Sequence, residues 1–128
     1  MKDTVVYNSD LHFEHKQWEK ELLFWEDELL SFQNRLNELV NRWTDSKVLG
    51  ELDQYQNQFH IHNNIIDELK EEIEAHESNI AKHYKANEIV IDREHYANHV
   101  RFREKMETQR HIYNELKKKF FQFLSKYM

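Results

Sequence analysis

From Leu11 to Trp43, core-type residues recur at alternating steps of four and three: Leu11, His15, Trp18, Leu22, Trp25, Leu29, Phe32, Leu36, Leu39, Trp43, with one histidine in the run. Steps of four and three trace one stripe along an α-helix, whereas a half-buried strand would alternate at every second residue. Two further series repeat the pattern. One is Val48, Leu52, Tyr55, Phe59, His62, Ile66, Leu69, Ile73, His76, Ile80, His83. The other is Asp92, His95, His99, Phe102, Met106, Gln109, Tyr113, Leu116, Phe120, Phe123, Tyr127. Three such stripes predict three long helices that bury them against one another.

Helix breakers are nearly absent: there is no proline, and Gly50 is the single glycine. Helices are therefore expected at about 10–43, 46–85 and 91–127, after a short N-terminal arm over 1–8. Each would be roughly 50 Å long at 1.5 Å per residue. Asn8, Ser9 or Asp10 can cap the first helix, and Thr44, Asp45 or Ser46 the second, because a short side-chain oxygen accepts from an orphan backbone N–H. Lys85 to Val90 reads as the second turn, with Asn87 a candidate helix end. Short connections make neighbours antiparallel. The fold class expected is all-α, an antiparallel up-down three-helix bundle of long coiled-coil-like helices, in one domain over 1–128.

Folding the chain about its two turns pairs the series into layers. At one end stand Trp43, Val48 and Tyr127, and in the middle Leu29, His62 and Tyr113, then Trp25, Ile66 and Gln109. Near the other end Trp18, Ile73 and Phe102 precede a layer of His15, His76 and His99. Leu11, Ile80 and His95 follow, then Asn8, His83 and Asp92. Flanking charges predict the hand of the bundle. Glu14, Glu21 and Glu28 can reach Arg103, Arg110 and Lys117, and Glu72 can face Lys105. The mirror arrangement would set Glu21 near Glu72 and Lys70 near Arg110.

Composition excludes several classes. With 33% charged residues and a net charge of -6, the chain is a poor default binder of nucleic acid. It has no cysteine, hence no disulfide, thiolate metal site or cysteine nucleophile. The first residues are too short and polar a stretch for a secretory signal, and no apolar run reaches membrane-spanning length. A soluble, cytoplasmic protein is the expectation. There is no Gly-rich phosphate loop and no nucleophile elbow, and no core serine suits a Ser–His–Asp triad. The tail from Lys117 to Met128 mixes lysines with Phe120, Phe121, Phe123 and Leu124. It reads as a last stretch of helix capping the core, with its basic residues suited to the helix dipole, rather than as a membrane contact.

Polar residues in the stripes need partners, because a buried polar group without one is costly. Gln109 shares a layer with Trp25 and could accept its indole N–H, and His62 could bond the Tyr113 hydroxyl. The histidine end differs in kind. His15, His76 and His99 come from three helices, and converging imidazoles suit zinc, copper, nickel or iron. His95 lies one turn from His99, His12 sits on the flank and His83 near the rim. These six histidines are the candidate metal ligands, with Glu14, Glu72 and Asp92 as carboxylates that could hold ring N–H groups. The plainer alternative is that the histidines bond to one another, to water and to flanking carboxylates. A di-iron carboxylate site fits poorly, since only Asp92-x-x-His95 has the Glu-x-x-His type of spacing and a fourth helix is missing. The hemerythrin-like and ferritin-like designs are thus not matched by motif.

Leu23, Phe24, Leu30 and Val40 lie outside the main stripe of the first helix and read as a second apolar strip, suited to self-association or to a helical protein partner. The first function expected is a non-enzymatic interaction or scaffold module, possibly oligomeric. The alternative is a divalent-metal-binding protein for storage, sensing or delivery that uses the histidine layer.

Overall fold

The computed structural model describes residues 8–85 and 93–128. It contains three helices, α1 over Asn8–Arg42, α2 over Ser46–Lys85 and α3 over Arg93–Tyr127. These match the expected spans, and α1 packs mainly against α2. Residues 1–7 of the expected arm, Asn87 and Asp92 lie outside the described residues, whereas Asn8, expected in the arm, opens α1. Among the candidate caps of α2, Asp45 does the work. Its carboxylate accepts from the backbone N–H of Lys47 at 2.8 Å and more distantly from that of Val48 at 3.4 Å. Gly50 sits inside α2 without interrupting it. No helix among the described residues is long and apolar enough to cross a membrane.

The stripes form the core as their spacing predicts. Leu22, Leu36, Ile66, Ile73, Met106 and Phe120 are fully buried. At the end formed by the α1–α2 turn, aromatic rings fill the axis. Phe59 meets Phe120 edge-on at 4.9 Å, Tyr55 lies 5.0 Å from Phe123, and Trp43 meets Tyr127 at 5.4 Å. Such tilted and edge-to-face pairs add to what burial alone contributes. The polar tips of these rings also find partners. The Trp43 indole donates to the Tyr127 carbonyl at 3.1 Å, and the Tyr55 hydroxyl donates to the Lys119 carbonyl at 3.2 Å. Tyr127 belongs to the last turn of α3, where carbonyls lack helical partners.

The expected ion pairs form. Arg103 grips Glu14 through two bonds of 2.9 and 2.7 Å, and Arg110 grips Glu21 through two of 2.6 and 2.7 Å. Lys117 reaches Glu28 at 2.6 Å, and Lys105 reaches Glu72 at 2.8 Å. Lys70 pairs with Glu26 on α1 at 2.6 Å rather than approaching Arg110. The hand is therefore the one the charges favour.

Two expected polar contacts are replaced by others. Gln109 does not serve Trp25; its amide donates to His62 Nδ1 at 2.8 Å. The Tyr113 hydroxyl does not bond His62; it donates to Glu28 at 2.9 Å, while the ring stacks on Trp25 at 5.1 Å. The reason is reach. A tyrosine is long enough to carry its hydroxyl past the axis to a flanking carboxylate, and a glutamine can lean into the next layer. The apolar strip on α1 also divides. Leu23 and Leu30 are seven residues apart on one line, but Phe24 is turned by about 100° from Leu23. Its ring lies under the Lys117 ammonium of α3, 5.8 Å away, so it belongs to the α1–α3 side.

Burial lowers the affinity of His62 for a proton below the ordinary imidazole value of about 6.5. The unfolded chain then takes up a proton that the native chain resists. This contribution is full above about pH 6.5 and is lost as pH falls below it. Replacing the pair together, as His62→Leu with Gln109→Leu, removes both polar groups. Urea unfolding should show stability within about 1 kcal/mol of the parent at pH 8 and a shallower fall between pH 7 and pH 5. An unchanged acid slope would contradict the assignment.

Candidate metal centre

The histidine layer is built by three core positions. His15 stands four residues after Leu11 and three before Trp18 on α1, and its side chain is 0% exposed. His99 stands three residues before Phe102 on α3 and is 2% exposed. His76 stands three residues after Ile73 on α2 and is half-buried. The His15 ring lies 5.0 Å from the His99 ring and 5.7 Å from the His76 ring, centre to centre. Beneath them the Trp18 indole stacks on His99 at 5.0 Å and tilts against His15 at 5.6 Å. Phe102 meets Trp18 at 5.1 Å and turns its edge toward His76 at 5.5 Å. An aromatic floor thus separates the imidazoles from the aliphatic core.

Each of the two buried imidazoles is held by a carboxylate. Glu77 accepts from His15 Nδ1 at 2.9 Å, and both of its oxygens accept from His12 Nδ1, at 2.9 and 2.8 Å. Glu14 accepts from His99 Nε2 at 2.6 Å while Arg103 holds the same carboxylate. A neutral imidazole has one N–H and one lone pair, so donation from one nitrogen fixes the lone pair on the other. His15 therefore carries its lone pair on Nε2, and His99 on Nδ1. Both of these nitrogens are sealed from solvent and have no hydrogen-bond partner.

Burial lowers the His15 proton affinity and outweighs the opposing bond to Glu77. Burial likewise lowers that of His76. The Arg103 guanidinium holds the Glu14 carboxyl below its usual range, against the opposing effect of burial. Neutral imidazole is the form that ligates a metal. A surface cleft of about 590 Å³ along the α1–α3 seam is lined by Phe13, Glu14, Gln17 and Trp18 and runs alongside the layer.

The six candidate ligands are not all gathered. His15 contacts both His76 and His99, and His12 joins through Glu77. His95 is half-buried one turn before His99. The side chain of His83 lies outside the described residues. Among the described residues, no group of three or more histidines, aspartates or glutamates is placed closely enough to hold a metal ion. Of the expected orienting carboxylates, Glu14 takes that role, whereas Glu72 is engaged by Lys105. Glu77 is the residue that sequence reasoning missed, because it is off the core stripe. Its signal was its place seven residues after Lys70, on the strip of α2 that faces α1.

Removing Glu77 strands the His15 N–H in a buried position. Glu77→Ala should cost about 1–3 kcal/mol in urea unfolding at neutral pH. Glu74→Ala, an exposed site on the same helix, should stay within about 0.5 kcal/mol. Equal effects of the two would deny Glu77 its orienting role.

No protein-family model matches the chain, and comparison with curated proteins and with solved structures finds no match.

Proposed function

We propose that this bundle binds a transition-metal ion at its histidine end and serves in storage, sensing or delivery rather than catalysis. One observation carries the proposal. The buried rings of His15 and His99 each give one nitrogen to a carboxylate, and each keeps a lone pair on a sealed, unpartnered nitrogen. Histidines that ligate metals commonly have their second nitrogen held by a carboxylate in this way. A buried polar atom without a partner is uncommon and calls for an explanation, and two in adjoining rings call for a shared one. The spacing is compatible. Two imidazoles on one tetrahedral ion, with nitrogen–zinc bonds of about 2.0–2.1 Å, hold their ring centres roughly 5 Å apart.

Protein purified without a histidine tag should melt at a higher temperature with zinc or copper than with chelator. The gain should be about 2.7 kcal/mol when free ion exceeds the dissociation constant a hundredfold. His15→Ala and His99→Ala should abolish most of that gain, whereas His111→Ala, on an exposed position, should preserve it. Melting that ignores every ion tested would refute metal binding.

A second function, docking to another helix, has its own support. Leu23 and Leu30 are 52% and 64% exposed on one line of α1, and Val40 is also exposed. Sedimentation at high micromolar concentration should show an associated species that Leu23→Glu with Leu30→Glu disperses. A monomer in both chains would remove this interface.

A further inference from the structure

We propose that the α1–α3 face docks a second copy of this chain, antiparallel and related by a two-fold axis that crosses the helices near Phe24. This face carries the ion-pair ladder and is separate from the Leu23–Leu30 line. Three phenylalanines stand out from it: Phe13, Phe24 and Phe121 are 66%, 56% and 46% exposed. On α1, the exposed Asp10, Phe13, Gln17, Phe24 and Arg35 share a strip about 60° wide at about 100° per residue. On α3, the exposed Glu107, Asn114, Lys118 and Phe121 share a strip of about the same width. Two of the rings are already placed. The Lys117 ammonium lies 5.8 Å from the Phe24 ring and 5.9 Å from that of Phe121, so they have less freedom to lose on docking.

The occupant follows from self-complementarity. A two-fold contact lays one patch on its own reversed copy, so each residue must find its match within the same patch. Rungs of the ladder join residues 89 apart, which puts α1 and α3 on one axial scale. On that scale Phe121 stands beside Phe32, and the two rings meet at 5.4 Å. Reversal about the level of Phe24 sets Asp10 opposite Arg35 of the copy, and Glu107 opposite Lys118. It sets Phe24 against its own copy, and Phe13 against the level of Phe32 and Phe121. The centres of these four pairings agree within about two residues, or roughly 3 Å of helix. A parallel two-fold has no such matching, since it sets Phe24 against Asn114 and Lys118 against Ser31.

Shape agrees with charge. The cleft of about 590 Å³ lined by Phe13, Gln17 and Trp18 lies at the level that Phe121 of the copy reaches. Two helices roughly 50 Å long make a face of about 1,000 Å² at a width of about 20 Å. A typical stable interface uses about 800 Å² per partner.

The test uses the full-length, untagged protein. Sedimentation at high micromolar concentration should show a species of two chains. Phe24→Glu, which meets its own copy at the axis, should weaken association by about a hundredfold or more. Glu107→Lys and Lys118→Glu should each weaken it by about tenfold, and the two together should restore it, because the swap rebuilds both symmetric pairs. Leu23→Glu with Leu30→Glu should disperse larger assemblies and keep this dimer. The chain has no cysteine, so single introduced cysteines can carry spin labels. Labels at Asn114→Cys should lie within about 25 Å of each other and labels at Arg42→Cys beyond about 45 Å, since each residue away from the axis adds roughly 1.5 Å in each chain. A monomer at every concentration, an associated species untouched by Phe24→Glu, a charge swap without recovery, or close labels at Arg42→Cys overturns the proposal.

Discussion

Three carboxylates seven residues apart on α1 meet three cations seven residues apart on α3, and that match selects which way the bundle assembles. Glu14, Glu21 and Glu28 face Arg103, Arg110 and Lys117 in order, because the first and third helices run parallel. Exposed ion pairs are individually worth little, up to about 1 kcal/mol. Their value here is directional. A rotation of α3 that broke the ladder would also turn Phe102, Met106 and Phe120 away from the axis. The reverse hand would bring like charges together. Burial supplies the energy of assembly, and the ladder selects one assembly among those that burial alone would accept.

The same ladder couples the fold to the histidine layer. Glu14 is its first rung and also the acceptor for His99, so the residue that fixes the rotation of α3 also fixes the tautomer of a buried imidazole. On the other side, Glu77 ties α2 to His15 and His12 of α1. The layer is thus held from both flanks by groups that stand outside the core stripe. Its interior nitrogens are set by these outer contacts and not by one another.

The helices, their stripes and the pairing of layers were legible because spacing along a helix states which side chains share a face. The ring contacts of His15 with His76 and His99 were legible for the same reason, and so was the bond from His99 to Glu14. Partner choice was less so. Tyr113 and Gln109 occupy the expected layers, yet their polar tips go to Glu28 and His62. Position along the axis does not state how far a long side chain leans. Glu77 escaped because attention to core positions passes over a carboxylate one step to the side. Phe24 was grouped with Leu23 and Leu30 by proximity in sequence, whereas a single residue step carries it round toward α3 and Lys117.

The bond from the Trp43 indole to the Tyr127 carbonyl gives the bundle unequal ends. It clasps the last turn of α3 to the corner where α1 ends, amid interlocked rings of Tyr55, Phe120 and Phe123. One end is therefore joined through main chain as well as ring packing, whereas at the other the helices are tied by imidazole–carboxylate bonds between side chains.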